Sequence, residues 1–284
     1  MPALDDHPLR YTLNSELHAR PFPSLTAPHV AAYLAVRPLG EAARRDRSVD
    51  LQQLRDLLAH YGAPLPAEDA THYFGPMGKY TLKWEQHTEF VTYTVFLDQL
   101  GQRPFDPAEF DVFPQDWRAG LNAQRITSIL LRLVPRPPQD AQIAETLQDW
   151  FVPESLAVAS VLEDAAVIAS DFRIDPAGHM RMAVFASEGT GSRRLGRIVQ
   201  RLCEIETYKS MSMLGFAKVR EFAGQLDRID AELNDLMAGM AGTSAMAEDT
   251  LHRLLDISVG LEALSADASY RLGATEAYQA IVAQ

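Results

Sequence analysis

Between Val219 and Met240 the apolar residues recur three and four apart: Val219, Phe222, Leu226, Ile229, Leu233, Leu236 and Met240. Such spacing keeps one stripe of a helix aimed at a partner helix over about three heptads, and neither a strand nor a loop can use it. Upstream, Leu195, Ile198, Leu202 and Ile205 repeat the pattern out of phase, because Lys209 and Ser212 stand where the next apolar pair would fall. Gly215 is expected to break or kink the helix between the two runs, since glycine costs about 1 kcal/mol relative to alanine inside a helix. The stretch 239–244 holds two glycines followed by Thr243 and Ser244, which predicts a helix–helix connection. Beyond it, Leu251, Leu254, Leu255, Ile257, Leu261, Leu264 and further apolar residues to Ile281 predict a second, weaker amphipathic helix. Residues 191–284 therefore read as a helical hairpin or stalk. Two outcomes are open: a hairpin that packs only on its own domain, or a stalk that brings copies together.

Ahead of the stalk, residues 1–29 read as an extended arm rich in Pro, His and Arg, and residues 30–190 as an α/β or α+β domain. Alternating or continuous apolar runs predict strands at 29–36, 80–85, 90–97, 125–134, 155–162, 166–174 and 179–186. Helices are expected from Ser48, as N-cap, to Gly62, and over 139–150. The Gly- and Pro-rich stretches 62–78 and 98–120 read as loops. The expected fold is a mixed sheet of about seven strands with flanking helices.

A hydrophobic content of 47% in 284 residues is enough for a large core. The net charge of −12 argues against a general nucleic-acid binder, which needs a basic surface to displace counterions. It suits a solvated acidic surface, or an electrostatic preference for cations. The single cysteine, Cys203, rules out an internal disulfide framework and a Cys-rich zinc site. The first residues hold no signal peptide, and no stretch approaches the ~18 uninterrupted apolar residues of a membrane span.

Two polar groupings could carry chemistry. Glu16, His18 and Arg20 alternate in the arm, near His7 and Arg10, and could orient an imidazole and hold an anion. Glu85, His87 and Glu89 alternate beside Trp84. Along a straight strand the three would share a face and could ligate a divalent metal, whereas a turn at 86–88 would scatter them. If the arm met this hairpin, a His/Glu/Arg site would result. Arg193, Arg197 and Arg201 share a helical face just after the glycines of Gly189-Thr-Gly191 and are candidates for binding an anion, or for pairing with the acidic domain. No complete catalytic constellation and no nucleotide-binding motif is present.

Four stretches together resemble one bacterial domain-of-unknown-function family, number thirty-four twenty-two, of predicted membrane-anchored proteins. They are His7-Pro-Leu-Arg10 with Glu16-Leu-His-Ala-Arg-Pro21, Leu82 to Phe90, Ser170-Asp-Phe-Arg173, and Gly196 to Lys209. The resemblance implies a longer native chain, with C-terminal hydrophobic helices beyond Gln284, and hence a cytoplasmic domain and stalk beneath the bacterial inner membrane. That order of parts is similar to magnesium channels of the CorA type, which makes divalent cation transport or sensing an expectation. The alternatives are a membrane-associated enzyme and an oligomeric scaffold for a partner protein.

Overall fold

The structure is a computed structural model and describes residues 5–11, 22–40, 46–240 and 247–283. The chain divides into two compact units, Met1–Glu204 and Ile205–Gln284. The first is an α+β unit built on one sheet. Its elements are β1 (His29–Pro38), α1 (Ser48–His60), β2 (His72–Met77), β3 (Tyr80–Gln86), β4 (Val91–Leu97), a 3-10 turn (Pro107–Val112), α2 (Gln115–Gly120), β5 (Ala123–Pro135), α3 (Asp140–Trp150), a second 3-10 turn (Pro153–Ser155), β6 (Ala157–Val161), β7 (Ala166–Ile174) and β8 (Met180–Ala186). The eight strands lie in the order β2-β3-β4-β1-β5-β8-β7-β6. Every neighbouring pair is antiparallel except β5 and β8.

The strand beyond the expected seven is β2. It carries Gly75 and Pro76, which made 62–78 look like a loop. Among the described residues β2 is an edge strand that pairs with β3 alone, and an edge tolerates a proline because one side of the strand needs no donor. The long polar stretch 98–120 is likewise not all loop: Pro107 starts a 3-10 turn, capped by Asp106 accepting from Ala108 N at 3.0 Å, and α2 follows. The N-terminus of α1 also departs from expectation. Ser48 is already helical, and its own N–H donates to Asp46 Oδ1 at 2.9 Å, so aspartate two residues earlier takes up the free donor.

Both faces of the sheet are covered. Leu34, Leu82, Trp84, Tyr93, Val95, Leu130 and Phe185 point to one face, where Leu54, Leu57 and Leu58 of α1, Phe110 and Phe113, and Ile143 and Leu147 of α3 close the core. Tyr33, Phe96, Ile129, Leu131, Met182 and Val184 point to the other, which is covered by Leu195, Ile198, Val199 and Cys203 from the start of the long helix α4 (Ser192–Met240) and by Leu25. Leu25 reaches that core because Gly196 lets the chain at Pro23 lie directly on the helix: a Cβ at Gly196 would sit 1.6 Å from the Pro23 carbonyl oxygen. Leu25 N donates to Ser192 O at 3.1 Å, and Ser24 Oγ to Ser192 Oγ at 2.7 Å.

The second unit is an antiparallel hairpin of the rest of α4 and α5 (Ala247–Val282). Tyr208 stacks on Tyr278 at 5.7 Å, Lys218 pairs with Asp267 at 2.7 Å, and Gly260 lies against Ile229. Gly215 does not break α4, which is continuous. It is a point of close approach between the two helices, where a Cβ would lie 2.2 Å from Thr275 Oγ1. The expected connection at 239–244 falls largely outside the described residues. The expected single seam is also split. Phe222 and Leu236 are buried, while Val219 and Leu226 are about half exposed. The inward stripe passes instead through Lys218, whose ammonium reaches out to Asp267 and Glu221. Among the described residues no helix is long and apolar enough to cross a membrane.

Candidate functional site

Among the described residues, the groups expected to converge stand apart. Glu16, His18 and Arg20 lie outside the described residues. His7 and Arg10 are exposed and locally engaged: Leu9 N donates to His7 Nδ1 at 3.2 Å, Arg10 pairs with Asp6, and Tyr11 Oη donates to Asp6 at 3.0 Å. The turn between β3 and β4 scatters the second group. Trp84 is buried among the apolar residues of the α1 face. Glu85 pairs with Lys83 at 3.0 Å. His87 lies in the turn, where its N–H donates to Phe90 O at 2.9 Å and its ring stacks on Phe90 at 4.3 Å. Glu89 is buried at the other end of that turn. Among the described residues no three His, Cys, Asp or Glu side chains lie close enough together to hold a metal ion.

What the fold does assemble is a polar cluster on the face covered by α4. On β3 the residues between Leu82, Trp84 and Gln86 are Lys83 and Glu85, and both are buried. Their neighbours on β4 are Thr94, opposite Lys83, and Thr92, opposite Glu85, also buried. Lys83 Nζ donates to Gln200 Oε1 of α4 at 2.8 Å, and Gln200 Nε2 donates to Glu204 Oε1 at 2.5 Å. Arg201 Nη1 completes the chain to Glu204 Oε2 at 3.3 Å. A charged pair on the sheet is thus wired to a carboxylate on the helix through one amide. Buried charges need such partners, because an unpaired one costs several kcal/mol. The alternation at 80–86 reads as a half-exposed strand only if the other face is wet; the long helix lies there, so the alternate residues are buried with it.

The three arginines of α4 do not act as a group. Arg197 lies over the ring of Phe22, 4.8 Å from its centroid, and Arg201 is held by Glu204. Arg193 lines an open cleft of about 710 Å³ with Arg194, Gly189, Gly191, Glu163 and Glu188, so both signs of charge face it. The hydroxyls near the glycines are already committed: Ser187 Oγ donates to Asp164 O at 2.6 Å and Thr190 Oγ1 to Ala165 O at 2.9 Å. They hold the β6–β7 turn, where Leu162, Glu163 and Asp164 all adopt positive φ. Arg136 clamps the same turn through Asp164 at 2.8 Å.

Three other buried polar groupings were not assembled by the sequence reading, two of them because they join residues distant along the chain. Ser128 Oγ lies 3.0 Å from His179 Nδ1. Burial holds the His179 imidazole below its usual range, aided by Arg125 and Arg118 and opposed by Asp175 and Asp111. Arg132 pairs with Glu109 at 3.7 Å and donates to the carbonyls of Arg103 and Gly101. There burial pushes the Glu109 carboxyl up and the Arg132 guanidinium down. Asp171, wholly buried, accepts from Arg181 at 2.5 Å, Val152 N at 3.1 Å and Arg173 N at 3.3 Å. Its partners are all structural, so Ser170-Asp-Phe-Arg173 works as a latch on the bulge of β7, with Phe172 turned outward at positive φ.

A family model described as "Protein of unknown function (DUF3422)" matches residues 5–284. No curated protein and no solved structure matches the chain.

Proposed function

We propose, for a chain that belongs to the DUF3422 family of proteins of unknown function, that it is the non-catalytic head and hairpin of a membrane-anchored assembly. One observation carries the reading. α4 is a single helix that covers the sheet with its first turns and then forms half of a hairpin whose outer side is rich in exposed Phe, Leu, Val and Met. Exposed apolar surface of that extent is a mark of association. The Lys83–Gln200–Glu204 chain ties the sheet to the same helix, so a ligand or partner that displaced the sheet face would act on α4. The anchor and the place at the cytoplasmic face of the bacterial inner membrane are part of the proposal and rest on the family resemblance alone. A link to divalent cations, suggested by the CorA-like order of parts, draws its support from the net charge of −12.

Sedimentation velocity of the 284-residue chain over a concentration series tests the assembly. The expected result is a species larger than a monomer at micromolar concentration, and a monomer at every concentration contradicts it. Adding magnesium in a thermal melt tests the cation link. A dissociation constant a hundredfold below the added concentration would stabilise the chain by about 2.7 kcal/mol. A melting curve unmoved by magnesium removes the cation from the proposal and leaves the assembly standing. The alternative of a membrane-associated enzyme has weaker support, since Trp84, Glu85 and His87 go to three different surroundings.

A further inference from the structure

The hairpin uses one stripe of each helix to hold itself together and leaves a second stripe of each uncovered. On α4 the second stripe runs through Phe216, Val219, Leu226 and Met237, with half-buried Leu233 at its edge, and on α5 through Leu251, Leu254, Leu261 and Leu272. All the intervals are built from steps of three and four, the spacing by which a helix presents a seam to another helix. Phe216, Val219, Leu226 and Met237 are 47–62% exposed, and the four leucines of α5 are 40–55% exposed. Asp230 is the one charge that the α4 stripe contains.

The two stripes share a side. Val219 follows Lys218, which pairs with Asp267 of α5, Leu226 stands one heptad further on, and Leu261 follows Gly260, which packs on Ile229. In an antiparallel heptad pair, the positions next to the seam in this sense lie on the same flank of both helices. The other flank takes Glu221, Arg228 and Asp235 of α4 and Asp249, Asp256 and Tyr270 of α5. The hairpin is therefore apolar on one broad side, whereas the other mixes charges with the exposed Val259 and Tyr270.

We propose that this apolar side is where two copies of the chain meet, their hairpins stacking face to face as a four-helix bundle. The assignment rests on the assembly reading above and names its surface. From Phe216 to Met237 the stripe is about 32 Å long, and two helices side by side are about 20 Å wide, at 1.5 Å per residue and ~10 Å per helix. That gives roughly 600 Å² on each copy and about 1,200 Å² in all, the lower bound for a specific interface. The heptad spacing calls for helices as the occupant, and a second hairpin brings two stripes of the same period. A two-fold axis can lay one pair on the other, as the commonest oligomers do. A bilayer fits less well. The outer rim carries Arg220 against Asp227, Glu262 and Glu276, whereas helices that lie on anionic lipid display lysine and arginine there.

The test is the mass of the full chain by light scattering, for the wild type, L226E/L261E, and R228E on the other flank. The wild type and R228E are expected to be dimers at tens of micromolar. L226E/L261E is expected to be monomeric with unchanged helical circular dichroism, its dissociation constant raised at least about 100-fold, since each glutamate would be buried without a partner. L226Q/L261Q gives the same reading without added charge should glutamate disturb the hairpin itself. If L226E/L261E and L226Q/L261Q keep the wild-type mass, copies meet elsewhere: this face is refuted and the assembly survives. If the wild type is monomeric throughout, both fall. Flotation with phosphatidylethanolamine–phosphatidylglycerol vesicles is expected to leave the protein at the bottom. Capture of the wild type that L226E/L261E abolishes would make the face a lipid surface and overturn the proposal.

Discussion

Gly196→Ala should lower the melting temperature of the α+β unit by roughly 6–12 °C, equivalent to about 3 kcal/mol for a unit of this size. The added methyl carbon would overlap the carbonyl oxygen of Pro23 at 1.6 Å and its carbonyl carbon at 2.6 Å. Both are backbone atoms, so no side chain can swing aside. Relief requires the segment around Pro23 to lift off α4, which breaks the Leu25 N to Ser192 O bond and draws buried Leu25 out of the core. Gly224→Ala is the control. It lies in the same helix with nothing within 4 Å of its Cβ position, and there alanine should stabilise by about 0.5–1 kcal/mol. Differential scanning calorimetry reads both variants. Equal and small shifts would mean that the docked segment contributes nothing to the unit.

Asp171→Ala is expected to cost about 3 kcal/mol by urea unfolding, at the low end for breaking a buried ion pair because Arg181 is partly exposed. The substitution strands the guanidinium of Arg181 and leaves two backbone donors, at Val152 and Arg173, without their acceptor. Val152 N bonds one carboxylate oxygen and Arg173 N the other, so Asp171→Asn keeps an acceptor for one of the two donors and should lose less than alanine does. Should alanine and asparagine prove equally damaging, the charge on Arg181, and not the backbone of the bulge, is what Asp171 serves.

Both residues show where sequence reasoning reaches and where it stops. The helix at 48–60, most strands and the helical C-terminal third were legible because each rests on local periodicity. β2 was not, because Gly75 and Pro76 mark a loop unless the strand is known to lie at an edge. The heptad run at 219–240 was legible as helix but not as two stripes: Phe222, Ile229 and Leu236 serve the hairpin, while Val219 and Leu226 belong to its outer side. A repeat of three and four names a seam without saying how many seams a helix has. Gly215 looked like a helix breaker and is a contact point, since the sequence does not show Thr275 across from it. The polar cluster at Lys83 was hidden for the same reason: its partner Gln200 is 117 residues away. Of the expected site, the pair of readings at 85–89 resolved to the turn, and the arginines of α4 found separate partners.

The meeting of copies through the hairpin is tested most directly by double electron–electron resonance with one nitroxide per chain. The label goes at Glu262→Cys, exposed on α5 beside Leu261, in a Cys203→Ser background that removes the buried native thiol. With a single label per chain, any dipolar distance arises between copies. The account expects a narrow distribution at about 20–30 Å, the width of a bundle of helices each ~10 Å across. A decay with no distance that fits inside one bundle, in samples that sediment as dimers, would contradict it.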